Sequence, residues 1–360
     1  MNNFAEAILR LEKARCPEDI FGTRALGIDA SYRQWAKLVH EDKVEAKDKP
    51  AAHRAFLLLT RWLEQAETKV DLGTYGDRKP VIIAKFTTKA ASYQVFGEAY
   101  ETALFKVYSG ESDSNQRCLI KVCKLPRDND VMKNEADVLA KLPAEIDPKF
   151  TGYFPNLLNS FEIPQKKARH RVNVFEAMPD GAISLTDLRR KYFPSGLDVK
   201  DAAWIWNRIL EATHLIHNQG IIHANITPDS FFIVPETHQG ILTDFIGAVK
   251  VNSRAKIAQR QWQSFYPPEV LSKFSKKNLD YSSDIYMIGH VMNFLLGVDG
   301  GQKTIPSGVP VAIAGLIRSC WLGHGRRSSD VKDLYQDFKG VREGLGWKKE
   351  FRVLNLPVTG

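Results

Sequence analysis

The chain has 360 residues, 44% hydrophobic and 26% charged, with a net charge of +8 and a pI near 9.1. This length predicts two domains, or one two-lobed domain with an appendage. The longest apolar stretch, residues 309–317, is far short of the roughly 20 residues of a bilayer-spanning helix, so no membrane span is expected.

The start carries Glu6, Arg10, Glu12, Lys13 and Arg15 in a helical rhythm, unlike the apolar core of a secretory signal, which predicts an intracellular, cytoplasmic protein. Apolar residues at a spacing of three to four predict three helices: Phe4, Ile8 and Leu11; Trp35, Leu38 and Val39; and Ala55, Phe56, Leu59, Trp62, Leu63 and Ala66, the last opened by Pro50. A polar connector spans 40–49, and residues 71–80, with Gly73, Gly76 and Pro80, read as a linker.

Tyr32, Arg33, Ala36, His40 and Asp42 stand in the order of the second helix and following loop of J-domains, whose pattern is Tyr-Arg, Ala, then His-Pro-Asp. Phe21-Gly22 and Leu26-Gly27 resemble that family's first helix and turn, Phe56 and Leu59 its third helix, and Tyr75-Gly76 its closing residues. The resemblance covers residues 16–76 and implies contact with a DnaK-type chaperone through Arg33, Lys37, His40, Asp42 and Lys43. Glu41 replaces the family's proline, which leaves a looser loop with added negative charge. The alternative is a plain helical hairpin in which His40 only ends a helix.

From residue 81 the pattern changes to strands at 81–83, 103–108 and 118–123, with a turn over 109–115. Cys118 and Cys123, five apart on a strand, face opposite ways, so all four cysteines are read as buried thiols rather than metal ligands. A helix is predicted over 130–142. Beyond residue 180 helices dominate, broken by strand signals at 221–223, 231–234 and 241–243.

Seven motifs across residues 90–340 follow the order of a protein kinase. Cys118-Leu119-Ile120-Lys121 resembles the strand with the phosphate lysine, and Glu135 its helix partner. Val174-Phe175-Glu176-Ala177-Met178 resembles the hinge, with Phe175 as gatekeeper. Ile222-His223-Ala224-Asn225 through Ser230 resembles the catalytic loop, and Thr243-Asp244-Phe245 the metal-binding segment. Pro267-Pro268-Glu269 resembles the end of the activation loop, with Arg326 or Arg327 as partner of Glu269, and Asp284, Tyr286 and Gly289 a helix start. The resemblance implies nucleotide contacts at Gly97, Leu119, Lys121, Glu135, Glu176 and Met178, and metal contacts at Asp244 and, weakly, Ser230.

The departures fall on the chemistry. Asn225 stands where the family has its base aspartate, and a neutral amide accepts no hydroxyl proton; a general base is worth about a hundred- to ten-thousand-fold. Thr227 replaces the loop lysine, Ser230 the second metal ligand, and Ala224 the arginine that receives a phosphorylated loop. Gly97-Glu98-Ala99-Tyr100-Glu101-Thr102 keeps one of three phosphate-loop glycines, and Leu119 is larger than the residue that roofs adenine. Ile246, replacing a glycine, tolerates positive φ poorly.

Residues 1–75 hold 12 basic and 12 acidic residues, so the charge excess lies in the remainder. It clusters at Lys166, Lys167, Arg169 and Arg171, at Arg189, Arg190 and Lys191, and at Lys348, Lys349 and Arg352. Residues 246–267 carry only Lys250, Arg254, Lys256 and Arg260, a basic loop suited to an acidic peptide or a nucleic-acid backbone, or simply solvated.

The expected protein is α+β: a J-like helical domain over 1–76, a linker and first strand region over 77–89, a bilobal protein-kinase fold with small lobe and hinge over 90–178 and large lobe over 179–345, and a tail over 346–360. The expected function is a pseudokinase adaptor that recruits a DnaK-type chaperone to a protein client, with at most weak binding of ATP and Mg²⁺. Two alternatives stand beside it: an atypical Ser/Thr-type kinase with Asp229 as base, and nucleic-acid binding through the basic surface.

Overall fold

The computed structural model describes residues 3–45, 48–77, 80–165, 168–256, 258–271, 278–347, 354 and 356. Lys166, Lys167, Lys348, Lys349 and Arg352, and most of the tail expected over 346–360, lie outside the described residues. The chain divides into two compact units, one running to Ala99 and including Tyr108–Asn115, the other made of Tyr100–Val107 and Gln116–Leu356.

In the first unit Asn3–Lys13 (α1), Glu18–Phe21 (α2), Ile28–Val39 (α3) and Lys49–Asp71 (α4) are helical; α1, α3 and α4 carry the stripes that the apolar spacing predicts, and α2 is a short helix that it does not. Their stripes meet in one core that includes Leu11, Ile20, Phe21, Trp35, Val39 and Leu59. Two indoles fix the helices to one another: Trp35 Nε1 donates to the Ile20 carbonyl at 3.0 Å and Trp62 Nε1 to that of Leu11 at 3.1 Å. The chain after α4 is clipped back by buried charge. Glu18 accepts from Lys69 and, at 2.9 Å, from the Gly76 backbone N–H, while Lys69 reaches Asp77 at 2.9 Å. Gly76 has φ +108°, and a Cβ there would stand 3.0 Å from the Thr23 carbonyl oxygen, so the clip requires a residue without one.

Ala84–Thr87 (β1) pairs antiparallel with Ser92–Glu101 (β2), Phe86 opposite Tyr93. The sequence predicts the strand at 81–83 and a phosphate loop at 97–102, but the strand begins at Ala84 and β2 continues through Glu101. Two of the glycines that would open such a loop are absent, and the remaining residues take ordinary extended backbone.

The second unit takes up part of Phe105–Ser112 (β3) and continues with Arg117–Cys123 (β4), Asn129–Leu139 (α5), Leu142–Glu145 (α6), Leu157–Gln165 (β5) and Ala168–Glu176 (β6). Strand β6 lies between β4 and β5, antiparallel to both, with Lys121 opposite Asn173 and Leu119 opposite Phe175. The single helix predicted over 130–142 is two, because Pro143 has no N–H with which to continue α5.

The remaining elements are Ile183–Ser184 (β7), Leu185–Asp187 (α7), Val199–His217 (α8), Ile221–Ile222 (β8), Phe231–Val234 (β9), Gln239–Leu242 (β10), Val249–Lys250 (β11), Pro268–Leu271 (α9), Ser282–Leu295 (α10), Val311–Cys320 (α11) and Val331–Gly344 (α12). Every residue of α10 is buried, its apolar residues spread round the helix with Ser282, Ser283, Asp284, His290 and Asn293 between them. The surrounding core includes Trp206, Ile209, Phe231, Phe265, Phe294 and Phe338. All four cysteines are buried free thiols. Among the described residues no helix is long and apolar enough to cross a membrane.

Candidate functional site

Lys121 is the centre of the polar cluster in the second unit. Strand β4 turns it inward, where it is 4% exposed, and its Nζ lies 2.8 Å from Glu135 Oε1 on α5 and 2.7 Å from Asp244 Oδ1. The Phe105 ring covers it, with Nζ 3.7 Å from the ring centroid. Burial alone would discharge the amine, but Asp244 and Glu135 outweigh it and hold its pKa above the ordinary lysine range. Asn173, across the sheet from Lys121, completes the shell: its Nδ2 donates to Glu135 Oε2 at 3.0 Å and to the Met132 carbonyl at 2.8 Å, tying α5 to β6.

The loop from His223 to Ser230 hangs from Asp284 in the first turn of α10. The Asp284 carboxylate accepts the backbone N–H groups of His223 and Ala224, both at 2.8 Å, and faces His217 Nε2 at 2.9 Å. Ala224 takes φ 54°, a left-handed conformation that a residue with a Cβ adopts at a cost of about 1–3 kcal/mol and that these bonds over-determine. Burial lowers the pKa of His223, and its neutral ring donates Nε2–H to the Thr243 carbonyl at 2.9 Å.

Asn225 is bonded on both sides of its amide. Its Nδ2 donates to Asp244 Oδ2 at 3.0 Å and to the Asp244 carbonyl at 3.1 Å, and its Oδ1 accepts from Tyr266 Oη at 2.5 Å and Gln259 Nε2 at 3.2 Å. Gln259 Nε2 also reaches Asp244 Oδ2 at 2.9 Å. Asp229 accepts from Thr186 Oγ1 at 2.5 Å, Trp262 Nε1 at 2.6 Å and Gln261 Nε2 at 2.7 Å. Ser230 is fully buried, and its Oγ accepts the Thr227 N–H at 2.9 Å and donates to the Thr227 carbonyl at 3.0 Å. A magnesium-bound nucleotide fits this arrangement poorly: both Asp244 oxygens already hold donors, and the Ser230 hydroxyl is turned into its own loop.

Positive φ falls on Asp244, at 67°, while Ile246 sits in a short turn, Phe245–Gly247, and packs with Val131 and Met132 of α5. The β-branched side chain that the motif lacks thus becomes an anchor for the helix bearing Glu135. Gly247 lets the chain pass close to the Asn225 loop: a Cβ there would stand 3.1 Å from Asn225 Cβ. Leu119 packs with Phe105 and Val107 in the same cluster, on the face that carries Lys121. Gly97 lies within β2 in the first unit, its carbonyl accepting from Ser109 Oγ at 3.2 Å. Glu176 is exposed and accepts from Asn156 Nδ2 at 3.0 Å; with Met178 it lines a cavity of about 510 Å³ beside Leu142, Phe154 and Ile241.

Glu269 is paired with Arg327, within a buried contact. In the first unit Arg33, Lys37, His40, Asp42 and Lys43 are all exposed, and His40 Nδ1 accepts the Asp42 N–H at 3.2 Å. Asn173, Gln259, Gln261, Trp262 and Tyr266 are site residues that motif reading passes over. Asn173 stands opposite Lys121 only through the register of β6, a strand the sequence does not show, and the others lie on the segment 259–266, which carries no motif.

Residues 103–299 match the protein kinase domain. A serine/threonine-protein kinase stk11 homolog of Dictyostelium discoideum is 28% identical over 216 residues, 57% of this chain and 35% of that protein. The probable serine/threonine-protein kinase mps1 of the same organism is 24% identical over 225 residues, 59% of this chain and 21% of that protein. The chain therefore spans about a third and about a fifth of the length of these curated relatives.

Proposed function

The chain belongs to the protein kinase domain family, and we propose that it is a pseudokinase, a binding or adaptor protein in which the site for phosphoryl transfer is closed by its own side chains. The observation that carries this is the state of Asp244. Lys121 holds one carboxylate oxygen, and the amides of Asn225 and Gln259 hold the other. A metal ion entering there must displace three donors, and the amide in the base position supplies no proton acceptor. Loss of a general base alone raises the barrier by roughly 3 to 5 kcal/mol. The deciding assay offers γ-labelled ATP and Mg²⁺ to the full chain with a generic protein substrate. No transfer above background is expected; robust transfer that disappears in Asp244→Ala overturns the reading.

One observation favours an atypical Ser/Thr kinase instead. Asp229 is a carboxylate in the same loop as Asn225, and the Lys121–Glu135 pair is intact. Thr186, Gln261 and Trp262 spend its oxygens, so this reading requires the segment around Gln261 to move. Loss of labelled transfer in Asp229→Asn is its signature.

The first unit supports a chaperone-contact reading through the exposed Arg33, Lys37, His40, Asp42 and Lys43, whose cations sit on α3 and the loop after it. Contact of that kind weakens as salt screens it. Stimulation of a DnaK-type chaperone's ATPase by the full chain, lost in His40→Gln and in Arg33→Glu, is the expected result. No stimulation by the wild type removes the chaperone from the proposal and leaves the pseudokinase reading untouched.

A further inference from the structure

A second groove, of about 440 Å³, opens in the second unit beside Asp229, sharing with that residue's surroundings the side chains of Gln261 and Trp262. Arg189 forms part of its wall and is 4% exposed. Its Nε donates to the Phe294 carbonyl at 3.1 Å, and its Nη1 to the carbonyls of Phe193, at 3.1 Å, and Pro194. Its Nη2 makes no hydrogen bond among the described residues. The nearest carboxylate to Nη2 is Asp299 at 3.8 Å, beyond hydrogen-bond reach and on a side chain 72% exposed.

Arg190, exposed and without a carboxylate partner among the described residues, lines the same groove with its guanidinium 5.8 Å from the Trp262 ring centroid. Two like charges therefore share one concavity. Burial lowers the pKa of Arg189, and the charge of Arg190 adds to that while Asp299 only partly opposes it. A largely buried cation with a donor not used inside the protein, beside a second cation, favours a bound anion electrostatically.

We propose that this groove recognises a phosphorylated serine or threonine side chain of a partner polypeptide. A phosphate brings close to two negative charges and three acceptor oxygens, enough to meet Nη2 of Arg189 and the fork of Arg190 together. A single carboxylate is what Asp299 already offers, and it leaves Nη2 unbonded. The Trp262 ring gives the flanking peptide an apolar wall. Residues 246–267, which end in the groove at Gln261, Trp262, Ser264 and Phe265, carry cations only, so long-range attraction favours the same ligand. The inference concerns binding and stands whether or not the chain transfers phosphate.

The test is fluorescence anisotropy of the full chain, without nucleotide, against a labelled degenerate peptide mixture with a central phosphoserine, with the serine mixture as control. The phosphorylated mixture should bind at least roughly tenfold more tightly, the scale of charge-assisted hydrogen bonds. Arg190→Glu, an exposed change, should remove that preference, and Asp299→Asn should strengthen binding by clearing a competing carboxylate. Equal binding of both mixtures, or a preference that survives Arg190→Glu, overturns the proposal. Inorganic phosphate competing as tightly as the peptide also overturns it, because the groove then holds an ion and not a polypeptide. A labelled-transfer assay on the same sample separates this result from the fate of the pseudokinase reading.

Discussion

Asn225 donates its side-chain amide to the Asp244 carboxylate at 3.0 Å, so the residue that stands where the family has its base aspartate is tied to the residue that resembles the family's metal ligand. One departure from the kinase pattern, Asn225, is thus bonded to a motif residue that is kept, Asp244. Lys121 and Gln259 complete the set, and together they hold the carboxylate in a donor-rich shell.

Restoring the family's aspartate should harm rather than repair. Asn225→Asp replaces two donated hydrogen bonds with a second carboxylate beside Asp244, and loss of those bonds with repulsion at that range is expected to cost about 2–4 kcal/mol. Thermal unfolding should show a lower midpoint with no phosphoryl transfer gained. Asp244→Asn in the same chain should recover most of the midpoint. A variant as stable as the wild type contradicts the shell described above.

Leu119→Ala addresses the space beside Lys121. Leu119 packs with Phe105 and Val107 on that face, and trimming it should raise affinity for a non-hydrolysable ATP analogue by roughly tenfold, ~1.4 kcal/mol. The same trimming should lower stability by about 2 kcal/mol, at the lower end for a partly buried leucine. Calorimetry on both forms measures the first effect and denaturant titration the second; unchanged affinity means the side chain does not obstruct the slot.

In the first unit, Glu18→Gln should weaken the buried clip by removing the charge opposite Lys69. Lys69 keeps Asp77, so the loss of one charge-assisted hydrogen bond is expected to cost about 1.5–3 kcal/mol. Hydrogen exchange in the full chain should show protection lost through α2 and the end of α4 while the second unit keeps its own. Combined replacement Glu18→Leu with Lys69→Met should be milder than either change alone.

His290 makes stability depend on acid. Buried among the rings of Phe265, Tyr286 and Trp321 and near Lys303, it has a pKa pushed down from 6.5 to about 3 by burial first and Lys303 second. The unfolded chain takes up the proton near 6.5 and the folded one does not. Its contribution is therefore fully present above pH 6.5 and is lost on going down toward pH 3, by about 1.4 kcal/mol per pH unit. Denaturant midpoints at pH 7 and pH 5 should fall less in His290→Leu than in the wild type. An equal fall in both assigns the acid sensitivity to other groups.

The sequence alone carried the local periodicities and the order of the chemistry. Helices α1, α3 and α4 follow from apolar residues three to four apart, because burial of one face imposes that spacing wherever the helix docks. The sequence order of Lys121, Glu135 and Asp244 likewise survives as a cluster, since a short strand and a short helix hold the first two. Strands β5 and β6 were not legible, because β5 is half-buried along most of its length and so lacks alternation of apolar and polar residues.

Tertiary structure decided what surrounds Asn225, Asp229 and Asp244. Gln259, Gln261, Trp262 and Tyr266 bond to residues 15 to 41 positions earlier, and nothing in a glutamine or a tryptophan announces such a partner. The same is true of Ile246, a mismatch in the motif that becomes a packing anchor only once α5 lies against it. Such contacts arise where the folded backbone brings distant segments within hydrogen-bond range, and donor and acceptor are then paired because leaving either buried alone is costly.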